Sequence, residues 1–211
     1  MKTIDLSHTI SPGMAVYPGT EPPEFSDQFT INSAGFYEKK ITMFSHTGTH
    51  IDAPSHILKK AKSLDQIPIS RFIGNASVLD FSHMQKTVIT YQDMARHKSL
   101  VEKSDFIILY TGWYQKWGEE AYFESFPVLS LEAAEWIAKF SLKGIGVDML
   151  SVDVTDTRSF PIHRIFLEKE ILIIENLTAL EELVNKDFTF FCFPLKIENS
   201  DGAPARAVAL V

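Results

Sequence analysis

The sequence predicts one α/β domain over residues 1–211, with a mixed β-sheet core flanked by helices. Three observations predict it. Apolar strand-like runs alternate with helical patterns through the second half of the chain, the order of an α/β sheet. Residues 1–85 carry more strand and loop signals, which interrupts a regular alternation and makes the sheet mixed. A length of 211 residues with 45% hydrophobic content suits a single sizeable core.

The elements follow in chain order. Pro12-Gly13, Pro18-Gly19 and Pro22-Pro23 make residues 12–24 a covering loop. Residues 36–44 carry aromatic and β-branched side chains and read as a strand leading into a histidine-rich window. Ala76–Asp80 is a short apolar strand. Thr90, with Asp93 three residues on, forms a capping box that opens a short helix. Asp105–Thr111 reads as a buried strand, with Gly112 as its turn. Ser130 caps a helix from Leu131 to about Leu142, on which Leu131, Ala134, Trp136, Ile137 and Phe140 recur at helical spacing. Gly144 is the stop signal of that helix, and Gly144–Asp148 is the next strand. Ile162–Leu167 reads as a short helix, Ile171–Ile174 as a strand and Leu177–Val184 as a helix, before the last two strands, Phe188–Pro194 and Ala205–Val211.

A net charge of −7 argues against a nucleic-acid surface. The N-terminus lacks the apolar core of a secretory signal, and no apolar stretch has the length of a membrane span. A lone cysteine, Cys192, allows no intrachain disulfide and sits in an apolar run as a buried residue. The expectation is a soluble cytoplasmic protein with a small-molecule substrate and neither nucleic-acid nor membrane partners.

Residues 45–56 read Ser-His-Thr-Gly-Thr-His-Ile-Asp-Ala-Pro-Ser-His and hold three of the chain's seven histidines. Imidazole nitrogens plus a carboxylate, with no thiolate near, are the donor set of a divalent metal held for chemistry. His50 and Asp52 are two apart, so on extended backbone they face one side. Thr47, Gly48 and Thr49 are poor helix formers, so His46 joins them through a tight turn at Gly48. Pro54 blocks a helix, which leaves His56 to be delivered from a loop. Three ligands and an open position make a catalytic site that supplies hydroxide near neutral pH. In it, His56 suits proton transfer better than a fourth ligand role. The alternative is a set of hydrogen-bonded turn residues without metal.

This run resembles the signature His-x-Gly-Thr-His-x-Asp-x-Pro-x-His of the cyclase-like metal-dependent hydrolases, the group of bacterial kynurenine formamidases and isatin hydrolases. Every fixed position matches from His46 to His56. Asp5-Leu6-Ser7-His8, Thr111-Gly112-Trp113, Gly146-Val147-Asp148 and Asp201-Gly202-Ala203-Pro204 resemble further stretches of the family in the same order. The resemblance implies a swivelling β/β/α-like fold and a site for one or two divalent ions, zinc foremost and manganese second. It implies His46, His50 and Asp52 as ligands, joined by His163 and Glu175 from the other end of the chain, with His56 as general acid and base. It implies hydrolysis of an amide-type C–N bond, in an aryl formamide or by opening a cyclic amide, with metal-bound hydroxide as nucleophile. It also implies a homodimer or homotetramer, in which residues 12–24 reach toward a neighbour. Where the formamidases carry a substrate-stacking tryptophan, this chain has Tyr17, whose ring can stack on an aromatic substrate.

A non-catalytic metal-binding or sensor protein with the same fold is the alternative function. Of the remaining candidates, His8 reads as structural, and His83 and His97 as solvent-facing. Arg206 is expected to pair with Asp201 or another carboxylate.

Overall fold

The computed structural model of the protein describes residues 1–211. The first third holds β1 (Thr3–Asp5), β2 (Glu24–Phe29), α1 (Ile31–Ala34), β3 (Glu38–Thr42) and β4 (His50–Asp52). The middle holds β5 (Ile73–Asp80), β6 (Val88–Ile89), α2 (Tyr91–Ala95), α3 (Lys98–Lys103), β7 (Phe106–Tyr110), β8 (Val128–Leu129), α4 (Leu131–Ile137) and β9 (Gly144–Val147). The last part holds α5 (Pro161–Leu167), β10 (Leu172–Glu175), β11 (Phe188–Pro194) and β12 (Gly202–Leu210).

Eight strands form one mixed sheet in the order β1-β12-β11-β5-β7-β9-β10-β4, and β4 pairs with β12 as well. That extra pairing closes the sheet into a ring. β5, β7, β9 and β10 run parallel to one another, while β4, β11 and β12 pair antiparallel with their neighbours. β7, β9 and β10 are buried at every position, which is why they read as apolar runs, while β5 is buried only over Ala76–Leu79. Phe106 and Ile108 point into the ring with Ile174, Phe190 and Ala207. Ile107 and Leu109 point outward, where Met94 of α2, Ile137 of α4 and Phe166 of α5 cover them. Phe190 is fully buried, so its truncation to alanine carries the usual cost of about 3–5 kcal/mol for a core aromatic.

Several elements differ from the sequence expectation. The strand expected within residues 36–44 forms as β3 but stops before the histidine window, and it pairs only with β2, in a separate two-stranded ribbon. The helix after Ser130 ends at Ile137, because the chain turns back so that the Lys143 amide can bond the Asp105 carbonyl. Gly144 therefore begins a strand rather than stopping a helix. Leu177–Val184 holds only a 3₁₀ turn at Leu180–Leu183. Left-handed backbone at Asn176 and Ala179 prevents an α-helix there. His97 is half-buried, edge-on to Phe81, whereas His83 is exposed as expected. The Thr90–Asp93 capping box forms, and Ser130 caps α4. No helix is long and apolar enough to cross a membrane.

Candidate metal centre

β4 is the strand that assembles the site. It lies between β10 and β12, with His50 opposite Glu175 and Asp52 opposite both Ile173 and Gly202. Residues opposite each other in an antiparallel pair share a face. His50, Asp52 and Glu175 therefore emerge on one side of the sheet, and Ile51, Ile174 and Ala203 fill the inside of the ring. His46 approaches over the same face through the turn at Gly48, whose φ of 66° is the left-handed geometry glycine adopts freely. No side chain stands on Gly202, and the His46 ring occupies that space. A Cβ at 202 would sit 2.7 Å from His46 Nε2.

The helix α5 brings the next imidazole. Asp153 bonds the Ile162 amide at 3.1 Å and the His163 amide at 3.0 Å, satisfying the free amides at the start of the helix. The same carboxylate accepts the His163 Nδ1–H at 2.7 Å, which turns Nε2 toward the sheet. His50 is oriented in the same way: its Nδ1–H donates to the Gly48 carbonyl at 2.8 Å, and Nε2 faces Asp52 and Glu175. That carbonyl is itself held by the Asn176 amide at 2.9 Å. His46 lies between two carboxylates, with Nδ1 2.8 Å from Asp52 and Nε2 2.9 Å from Asp201. Each of these imidazoles thus has one nitrogen fixed by an outer acceptor and the other turned into the cluster, the arrangement that orients metal-binding histidines.

The distances within the cluster test whether an ion fits. His50 Nε2 lies 3.4 Å from Asp52 Oδ1 and 3.4 Å from Glu175 Oε2. His163 Nε2 lies 3.6 Å from Asp52 Oδ2 and 3.5 Å from Glu175 Oε1. These separations are long for hydrogen bonds. They match the edge of a tetrahedron with zinc bonds of about 2.0–2.1 Å, which is about 3.3–3.4 Å. Asp52 Oδ2 is buried with no hydrogen-bond partner, a costly state that a cation relieves. Both carboxylates offer one oxygen toward His50 and the other toward His163, so the donors fall into two sets that share Asp52 and Glu175. The residues present fit a divalent metal. Two groupings with metal-ligand spacing, His46–Asp52–His56 and His50–Asp52–Glu175, overlap at Asp52.

The charges are strongly coupled. Burial by itself lowers the His46 and His50 imidazoles, but the carboxylates together outweigh it: Asp52 with Asp201 at His46, and Asp52 with Glu175 at His50. They end up raised, to about 9 and about 10. Burial likewise raises the Asp52 and Glu175 carboxyls, and the surrounding imidazoles reverse that, holding both below the usual range. The cluster is therefore an array of anions that retains protons where cations belong.

His56 stands apart from this pattern. It comes from a 3₁₀ turn at Pro54–His56, not an irregular loop. Its ring lies 4.0 Å from that of His46. Nδ1 is 3.2 Å from Asp201, Nε2 has no protein partner, and burial lowers its pKa. Above these groups is a cavity of about 310 Å³ walled by Tyr17, Phe44 and Phe160. The Tyr17 hydroxyl donates to the Thr155 carbonyl at 3.2 Å, which leaves the ring face to the cavity. Phe160 has left-handed backbone, rare for an aromatic, just before Pro161 opens α5.

All the expected site residues meet here: Tyr17, His46, His50, Asp52, His56, His163 and Glu175. Asp153 and Asp201 were not expected. An aspartate shortly before a proline-led helix was the available signal for Asp153. Arg206 pairs with Asp5 at 2.6 Å, not with Asp201. His8 stacks on Trp117 with ring centroids 3.9 Å apart, and burial lowers it to about 4, a structural role. Gly202→Ala is expected to displace His46 and weaken metal binding about 10–100-fold, the usual cost of disturbing a ligand's support. Competition with a chelator reads this directly, and unchanged affinity would show that the ring yields at no cost.

The family model described as "Putative cyclase" matches residues 4–154. A kynurenine formamidase from Bacillus cereus is 30% identical over 212 residues, covering 99% of this chain and 98% of that protein. A "predicted metal-dependent hydrolase" from Bacillus stearothermophilus superposes with a TM-score of 0.83 and 28% identity, over 99% of this chain and 97% of the other. Isatin hydrolase A from Ralstonia solanacearum shares the fold with a TM-score of 0.88 at 24% identity, over 100% of this chain and 92% of that one.

Proposed function

The chain belongs to the cyclase family, and from that premise we propose that it is a metal-dependent hydrolase of amide-type C–N bonds. In this reading His46, His50, Asp52, His163 and Glu175 hold the metal, and His56 moves the proton. The observation that carries it is the pair of carboxylates, Asp52 and Glu175, each offering its two oxygens to imidazoles on opposite sides, beside a histidine with a free nitrogen. The all-nitrogen-and-oxygen donor set favours Zn²⁺, with Mn²⁺ second, and the two sets of donors support loading with two ions. When bound, the metal supplies a water of lowered pKa and polarises the scissile carbonyl.

The chain's own groups do the rest. His56 Nε2 faces the cavity, takes a proton from the attacking water and returns it to the departing nitrogen. Tyr17, Phe44 and Phe160 pack on a flat ring and keep bulk water from the reacting bond. The activities named for the relatives, a formamidase and an isatin hydrolase, bring two candidate substrates: an aryl formamide and a cyclic aryl amide. The ribbon β2–β3 exposes Phe29, Phe36, Tyr37 and Ile41, surface that supports a homodimer or homotetramer, measurable by sedimentation. The buried free thiol of Cys192 suits the cytoplasm.

The test is metal removal. Turnover of formanilides or isatin-like cyclic amides is expected to vanish on chelation and return with Zn²⁺ or Mn²⁺. A metal-free sample with full turnover would overturn the reading. Because burial lowers the His56 pKa from 6.5, its basic form persists into mild acid. The acid limb of kcat is expected below pH 6.5, and a His56-dependent limb above that value would contradict the assignment.

A further inference from the structure

One carboxylate in the cavity, Asp201, has no task in the reading above. Its Oδ2 lies 2.9 Å from His46 Nε2 and 3.2 Å from His56 Nδ1, and Oδ1 accepts the Ser45 hydroxyl at 3.0 Å. The side chain is 44% exposed, yet its backbone is fixed. The Asp201 carbonyl accepts the Ala53 amide at 2.8 Å, and the preceding carbonyl, of Ser200, accepts the Leu64 amide at 2.9 Å. β12 begins at the next residue, in register with Asp52. The backbone thus aims this carboxylate at two histidines whatever the side chain itself contributes to stability.

We propose that Asp201 is a positioning residue whose Oδ2 holds His56 in the Nδ1–H form, with Nε2 turned into the cavity, while gripping His46 by the same oxygen. The proposal rests on the assignment of His56 as the proton carrier. An imidazole without an anchor samples both tautomers and both ring flips, and only one of these states presents a basic nitrogen to the substrate. A carboxylate on the far nitrogen selects that state and offsets the charge that develops when the near nitrogen takes a proton, the logic of an Asp–His pair in hydrolases generally. His46 and His56 sit on the same short segment, and Asp201 ties them together from the far end of the chain. Proton carrier and metal ligand are thereby kept at a constant spacing.

The test is Asp201→Asn, alone and combined with His56→Ala, assayed at saturating Zn²⁺. The asparagine keeps the size, and the backbone bonds that place residue 201 do not involve its side chain. The expected result is a fall in kcat of about 10–100-fold with little change in KM and with metal content retained. In the His56→Ala background the same substitution is expected to cost less than about twofold, because residues acting as one unit are not additive. A second readout is independent of turnover: ¹⁵N imidazole spectra of the Zn²⁺-loaded protein are expected to show His56 as the Nδ1–H tautomer, and a mixture in Asp201→Asn. Equal losses in both backgrounds, or a His56 tautomer unaffected by the substitution, would overturn the proposal. Loss of the ion from Asp201→Asn at saturating Zn²⁺ would place the effect on His46 and overturn it too. Full turnover by His56→Ala alone would be a different failure, that of the His56 assignment.

Discussion

Replacing Asp52 with asparagine is expected to lower turnover at least a thousandfold and to strip the protein of metal. Asp52 is fully buried. Its Oδ1 faces His46 and His50, and its Oδ2 faces His163 with no hydrogen-bond partner. Asparagine preserves the shape but turns one oxygen into a donor and removes the charge, so both sets, which share Asp52, lose its anion. Removing a single group that stabilises the developing charge already costs about 10²–10³ in kcat, and here the charge of the whole cluster changes too. The same variant has a signature without metal. In the chelated wild type, burial lowers His46, but Asp52 together with the Asp201 hydrogen bond more than reverses it, raising it from 6.5 to about 9. A histidine raised in the folded state contributes stability that is complete below its unfolded value and is lost as pH rises through the folded one. The melting temperature of the chelated wild type is therefore expected to fall between about pH 6.5 and 9, and Asp52→Asn should flatten that slope. Equal slopes in the two proteins would show that Asp52 does not hold the proton on His46.

His56→Ala is expected to lower kcat by about 10²–10⁴, the range for a general acid–base group, with metal content unchanged. His56 has one nitrogen on Asp201 and none on Asp52, Glu175 or His163, although it lies near enough to His46 and Asp52 to satisfy metal-ligand spacing. Metal content of the purified variant separates the two roles. A protein that binds Zn²⁺ as tightly as wild type but turns over slowly supports proton transfer, and one that loses the ion makes His56 a ligand.

How much of this could be read from the chain follows the range of the forces involved. β11 was legible to the residue, because Phe188–Pro194 is rich in phenylalanine and its alternate residues Phe188, Phe190 and Cys192 are buried. β4 was legible only as an extended pair of ligands. Its three residues are a strand because β10 and β12 pair with them from both sides, which no local signal encodes. β3 was legible as a strand within residues 36–44, but β2 and the pairing of the two in a separate ribbon were not, because their exposed residues carry no core pattern. Leu177, Leu180 and Leu183 repeat at a spacing that suggested an α-helix, yet Leu177 is buried from a non-helical segment and the other two from a single 3₁₀ turn. At the site, His46, His50, Asp52 and His56 stood out because they are crowded into one window. His163 and Glu175 entered only through resemblance. Asp153 and Asp201 are ordinary aspartates until the fold brings each against a histidine.

The closure of the sheet by β4 carries a consequence for how the protein persists in a cell. Three residues make a short clasp for a ring of seven strands. The side chains proposed to hold the ion come from β4, the turn before it, β10 and α5, and they converge only when the clasp is shut. An ion that binds only the shut form secures it by mass action, adding about 1.4 kcal/mol for each tenfold rise in free metal above Kd. Durability thus becomes a readout of local metal supply. A starved molecule is expected to lose its chemistry first and its clasp next, which opens the seam where β4 joins β10 and β12 to proteolysis.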